Sequence, residues 1–184
     1  MQNLQTRDIV RTALFVAVIA VCAQISVPVI PPVPFTLQTM AVVLAGLLLG
    51  PRLGTLCAIT YLVLGLFMPV YAHWSSGPAI LFGPLGGYLL GFVPCAFLAG
   101  TVAALLRPRG YWGFACASLV AVLPVFALGI PWLAWQMEWT IPKAAWVGGA
   151  VYVPSELGKV LIAAGVAAAM ARAPLDLPGV AQEG

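Results

Sequence analysis

Glu156 and Lys159 stand three residues apart in a stretch, 153–171, that otherwise carries no charge. At i and i+3 they share one face of a helix, and an apolar stretch of this length reads as a membrane span. Each charge costs about 2.5–3.5 kcal/mol at a span centre on insertion scales, and less nearer the boundary. A structural ion pair or two snorkelling side chains would account for them. Ionisable groups inside a membrane more often mark a ligand or ion path. A carboxylate and an ammonium one turn apart offer charge-assisted hydrogen bonds of both kinds, so the chemistry they suit is recognition of a polar group that both donates and accepts.

Three further stretches carry hydrogen-bonding or permissive residues. Pro34-Phe35-Thr36-Leu37-Gln38-Thr39 puts three polar side chains at the start of an apolar run. Thr36 or Thr39 can cap that helix or bond its own backbone, whereas Gln38 has no such local role. Gly83-Pro84-Leu85-Gly86-Gly87-Tyr88 lets backbone come close to a neighbouring helix or to a bound molecule, and Tyr88 can present its ring or its hydroxyl. His73, the only histidine, lies in a loop with Trp74, Ser75 and Ser76 and reads as solvated. Ala13 and Ala17 form a small-x-x-x-small stripe that suits close helix contact, within the chain or with a partner.

Several classes are excluded. One histidine cannot build a multi-histidine metal site, and no metal or cofactor is expected. The four cysteines sit in apolar runs without C-x-x-C spacing and read as inert buried thiols. There is no G-x-x-x-x-G-K-[ST], H-E-x-x-H or G-x-S-x-G, so neither ATP hydrolysis by this chain nor an intramembrane enzyme is supported. The net charge of +3 comes with no basic stretch for a nucleic acid backbone.

The elements that must position these residues follow from composition. Of 184 residues, 62% are hydrophobic and 7% charged, far from the soluble range of about 45–50% and 25%. Lipid is the solvent, and a single membrane domain over 1–184 is expected. Spans are predicted at 7–27, 36–50, 53–69, 81–106, 112–133 and 153–172, an all-α bundle of six transmembrane helices. Arg7 and Arg11 precede the first run as in a signal peptide, but the segment is read as a first membrane helix. The proline-rich segment 28–34 cannot be regular helix. At membrane depth it must face protein or a water-filled cavity, which hints at a pocket beside it. Arg7, Arg11, Arg52, Arg107, Arg109 and Arg172 fall on one side, against Lys143 and Lys159, which predicts that both termini are cytoplasmic. Trp74, Trp132, Trp135, Trp139 and Trp146 then form an outer aromatic belt.

The run Val33-Pro34-Phe35-Thr36-Leu37-Gln38-Thr39, the run from Leu44 to Gly54 and Gly83-Pro84-Leu85-Gly86-Gly87-Tyr88 together resemble the BioY family over residues 10–172. The resemblance implies the S-component fold of energy-coupling factor (ECF) transporters in a bacterial cytoplasmic membrane. It implies high-affinity capture of biotin from outside, with a transmembrane coupling protein and ATPase subunits as partners. Ala13 and Ala17 look like the family's partner-contact stripe. Pro154-Ser155-Glu156-Leu157-Gly158-Lys159 is similar to the family's P-G-D-x-x-K, with Glu for Asp and Ser for Gly; Leu85 stands where the family often has Thr. On this footing Glu156 accepts from a ureido N–H, Lys159 donates to the carbonyl or the carboxylate tail, and Gln38 completes the polar edge. Thr36, Ser75, Gly86 and Gly87 are expected beside the ligand, with Tyr88 and outer tryptophans over its apolar rings. The alternative is a small proton- or cation-coupled carrier or channel that titrates Glu156.

Overall fold

The structure, a computed structural model, describes residues 5–106, 110–172 and 178–179. Arg107 and Arg109, two members of the charge asymmetry, lie outside the described residues. Helix α1 runs Thr6–Gln24, with Asp8 in its first turn accepting from Gln5 N at 3.1 Å. Its buried residues Thr12, Val16, Ile19 and Ala23 recur every three or four positions, which gives one face, packed chiefly on the next helix.

The proline-rich segment is the one departure from an all-helical chain among the described residues. Strands β1 (Ser26–Ile30) and β2 (Val33–Thr36) pair antiparallel, with Ser26 opposite Thr36 and Pro28 opposite Pro34. Pro28, Pro31, Pro32 and Pro34 together remove too many donors for a regular helix but are tolerated where no ladder donor is needed, so a short two-stranded hairpin is the regular structure left to this segment.

The segment Gln38–Phe67, α2, is two helical arms that meet at Gly50, whose φ of 79° and ψ of 176° are not helical. Glycine accepts the positive φ, and Pro51 after it removes a donor. The two arms, 38–49 and 51–67, fold back on each other. A Cβ on Gly54 would lie 2.7 Å from Gly46 Cα and 3.1 Å from Ala45 O, so only glycine permits this approach. The spans expected at 36–50 and 53–69 are therefore the two arms of one bent helix. Carbonyls beside the break need other partners, and Leu48 O accepts from Gly179 N at 2.9 Å.

A 3-10 turn at Ala72–Trp74 and the short α3 (Pro78–Leu81) lead to α4 (Gly86–Leu106) and α5 (Tyr111–Gln136). Then come α6 (Ile141–Gly148), a 3-10 turn at Ala150–Tyr152, and α7 (Val153–Ala171). The expected span 81–106 thus starts five residues late, because Gly83 and Pro84 separate α3 from α4. Among the described residues, four segments are long and apolar enough to cross a membrane: Gln38–Phe67, Gly86–Leu106, Tyr111–Gln136 and Ile141–Ala171. Helix α1 is comparably long but holds Arg7, Asp8 and Arg11 in its first two turns.

Candidate functional site

The polar centre is built where α7 meets the start of α2. Glu156 and Lys159 are 9% and 5% exposed. Lys159 Nζ donates to Glu156 Oε1 and, at 2.8 Å, to Thr36 O, and lies 4.7 Å from the centre of the Phe35 ring. An ammonium has three protons, and these contacts account for its surroundings. Glu156 Oε2, by contrast, is buried without a partner. A buried orphan acceptor is costly unless something meets it.

Gln38 is oriented by a chain of bonds. Tyr61 Oη has one proton and gives it to Val70 O at 3.1 Å, so it must accept from Gln38 Nε2 at 2.6 Å. The side-chain oxygen of Gln38 is thereby left over as an acceptor.

Glu156 and Gln38 both line a cavity of about 360 Å3, within the usual range for small-ligand sites. Its walls come from the hairpin, the loop after α2 and every helix except α1. The hairpin contributes Pro28, Pro31, Pro32, Val33, Pro34 and Thr36, and α2 contributes Gln38 and Thr39. The 71–75 loop adds Tyr71, Ala72, His73 and Ser75, and the far side is Leu85, Tyr88, Phe92, Phe126 and Tyr152. Tyr71 is buried and donates to Leu62 O at 2.7 Å; burial pushes its phenol up to about 12, so it stays a neutral donor at any physiological pH.

Glu156, Gln38, Thr36, Tyr88 and Ser75 are brought to one cavity; three other expected residues are not. Lys159 stands behind Glu156 with Nζ engaged by Glu156 and Thr36, so it holds the carboxylate instead of reaching into the cavity. A Cβ on Gly86 would come within 3.1 Å of the Trp132 indole nitrogen, and one on Gly87 within 2.9 Å of Trp132 Cγ. These glycines serve helix packing under Trp132. The expected cover of tryptophans is also absent, since Trp74, Trp135 and Trp146 are exposed and none of the six lines the cavity. The aromatic walls are tyrosine and phenylalanine. Tyr88 offers its ring, because its hydroxyl donates to Gly148 O at 2.8 Å. Ala13 and Ala17 lie on the exposed side of α1, with Val10, Leu14 and Val21.

Tyr152 was not legible as a site residue because it sits in an apolar run with no polar neighbour. It donates to Val33 O and accepts from Ile30 N at 3.3 Å, fastening the tip of the hairpin to the start of α7. Tyr152→Phe is expected to leave the helices intact but to raise hydrogen exchange at the Ile30 amide about five- to tenfold, as befits one net hydrogen bond. Exchange mass spectrometry over 27–36 measures it.

Comparison with known proteins agrees with this architecture. The profile of the BioY family matches residues 1–175. The biotin transporter BioY of Thermotoga maritima is 36% identical over 162 residues, covering 88% of this chain and 94% of that one. The probable biotin transporter BioY of Pyrococcus horikoshii is 42% identical over 132 residues, 71% and 76% of the two chains. The crystal structure of the S-component for biotin from an ECF-type ABC transporter superposes with a TM-score of 0.85 at 24% identity, over 93% of this chain and 96% of that one. A shared bundle, a match over nearly the whole length and relatives above 30% identity lead to one conclusion: this chain is a multi-pass membrane protein that belongs to the BioY family.

Proposed function

We propose that the chain captures biotin with high affinity from the outer side of a bacterial cytoplasmic membrane, both termini being cytoplasmic, as the S component of an ECF-type transporter. A transmembrane coupling protein and ATPase subunits on other chains would supply the driving force. The observation that carries this reading is the pair of spare acceptors, Glu156 Oε2 and the Gln38 side-chain oxygen, in one largely apolar cavity. Biotin's ureido ring presents two N–H donors and one carbonyl on an apolar bicycle. Two acceptors match the two donors, and the hydroxyls of Thr36 and Thr39 on the same wall offer donors for the carbonyl. The names of the relatives point to the same vitamin.

The test is mass spectrometry of small molecules carried through purification of the full chain, followed by calorimetric titration. Biotin should be found bound one to one, and dethiobiotin, which keeps the ureido ring, should displace it. Displacement by a vitamin that lacks a cyclic urea would overturn the assignment. Proton-driven uptake by liposomes containing this chain alone would instead assign Glu156 to a carrier mechanism.

A further inference from the structure

One side chain outside the cavity binds three residues of the loop that forms part of its wall. Gln24, the last residue of α1, donates from Nε2 to Tyr71 O at 3.0 Å and to Val70 O at 3.4 Å, and also to Ala20 O of its own helix at 3.2 Å. Its Oε1 accepts from Trp74 N at 2.9 Å. Two residues on, Ser26 Oγ lies 3.1 Å from His73 Nε2. The loop so gripped is the one that puts Tyr71, Ala72, His73 and Ser75 on the cavity wall.

The loop's backbone needs such a grip. His73 and Trp74 have φ of 57° and 55°, a region that costs a non-glycine residue roughly 1–3 kcal/mol unless its surroundings impose it. Local bonds hold only the ends of the turn, Tyr71 N to Ser75 O and Ser75 Oγ to Ala72 O. The Trp74 amide, at the strained centre, is held by Gln24. Helix α1 packs chiefly on α2, with smaller contacts to the 72–74 turn and to β2.

We infer that Gln24 is the positioning residue that holds the 71–75 wall of the cavity in place, so that α1 sets the rate at which ligand leaves. A displacement of α1 would reach this wall through the Gln24 amide, while Glu156 and Gln38, carried by α7 and α2, stay in place. The inference rests on the reading that the cavity takes biotin.

The experiment uses the full chain in lipid nanodiscs loaded with radiolabelled biotin and chased with unlabelled biotin. Gln24→Met keeps the length of the side chain and removes all of its hydrogen bonds. Dissociation should accelerate about tenfold, the factor carried by one to two net hydrogen bonds. Association rate and the affinity ratio of biotin to dethiobiotin should stay as in the wild type, which a general loosening of the fold would not allow. Exchange at the Trp74 amide should rise in parallel. Faster exchange with unchanged dissociation overturns the inference. A wild-type chain that retains no biotin overturns the substrate reading instead. If Gln24→Met does not fold, Gln24→Glu, which keeps an acceptor for the Trp74 amide but removes the donor to Tyr71 O and Val70 O, should speed dissociation about two- to threefold, and an unchanged rate there overturns the inference.

Discussion

Lys159→Met should abolish measurable biotin retention and lower thermal stability together. In the wild type, the ammonium balances Glu156 at the cavity floor and ties it to the carbonyl of Thr36. Removing one partner of a buried ion pair costs about 3–5 kcal/mol, because a charge stays behind unpaired. The carboxylate then loses the group that fixes Oε1 and, with it, its orientation beside the cavity. An affinity loss of about a hundredfold or more is expected from a misplaced charge-assisted acceptor worth some 3 kcal/mol. The double variant Glu156→Gln/Lys159→Met separates the two effects. It contains no unpaired charge, so its melting temperature should recover towards wild type while biotin affinity does not. Calorimetric titration and scanning fluorimetry on the three proteins decide this, and wild-type affinity in Lys159→Met would remove Glu156 from the recognition chemistry.

Ala13→Leu/Ala17→Leu should leave biotin binding untouched and uncouple the chain from its partners. Both alanines face away from the bundle on α1, and neither lies on the cavity wall. Extra methylenes forced into a close helix contact cost about 1–3 kcal/mol at each site, so the double substitution should weaken association with the coupling protein at least about thirtyfold. Lipid accommodates leucine readily, so the isolated chain should keep its melting temperature. Co-purification with coupling subunits from the host membrane, alongside biotin titration, measures both. A variant that still co-purifies and drives uptake would mean that another surface makes the contact.

How much was readable beforehand depends on where each residue's partners lie in the chain. Glu156 and Lys159 are visible because two charges in an apolar run need an explanation that involves neither water nor lipid. The proline segment was readable as non-helical and as facing a cavity, since both follow from missing donors. That it forms a hairpin was not, because pairing depends on Ser26 meeting Thr36 across a turn. Gln38 stood out by its polarity, yet the direction of its amide depends on Tyr61, twenty-three residues away on the opposite arm of α2. Phe126, Tyr152 and Tyr71 are aromatic residues in apolar surroundings and carry no local mark that separates a cavity wall from a helix contact. Lys159 reads from the sequence as a donor to a ligand, but in the structure it donates to Glu156 and to the carbonyl of Thr36, 123 residues away, and the latter partner has no mark in the sequence. The glycines at 86 and 87 permit close approach, and only the position of Trp132 shows what approaches.

The hairpin also bears on self-association. A two-stranded ribbon at the surface presents unpaired backbone edges, which in other proteins template pairing with a neighbouring copy. Here Pro28, Pro31, Pro32 and Pro34 remove the N–H from four of the eleven residues between Ser26 and Thr36. An incoming strand finds too few donors for a continuous ladder. A chain that carries this ribbon on the wall of its cavity is thereby protected from polymerising through it, even when crowded in the plane of a membrane.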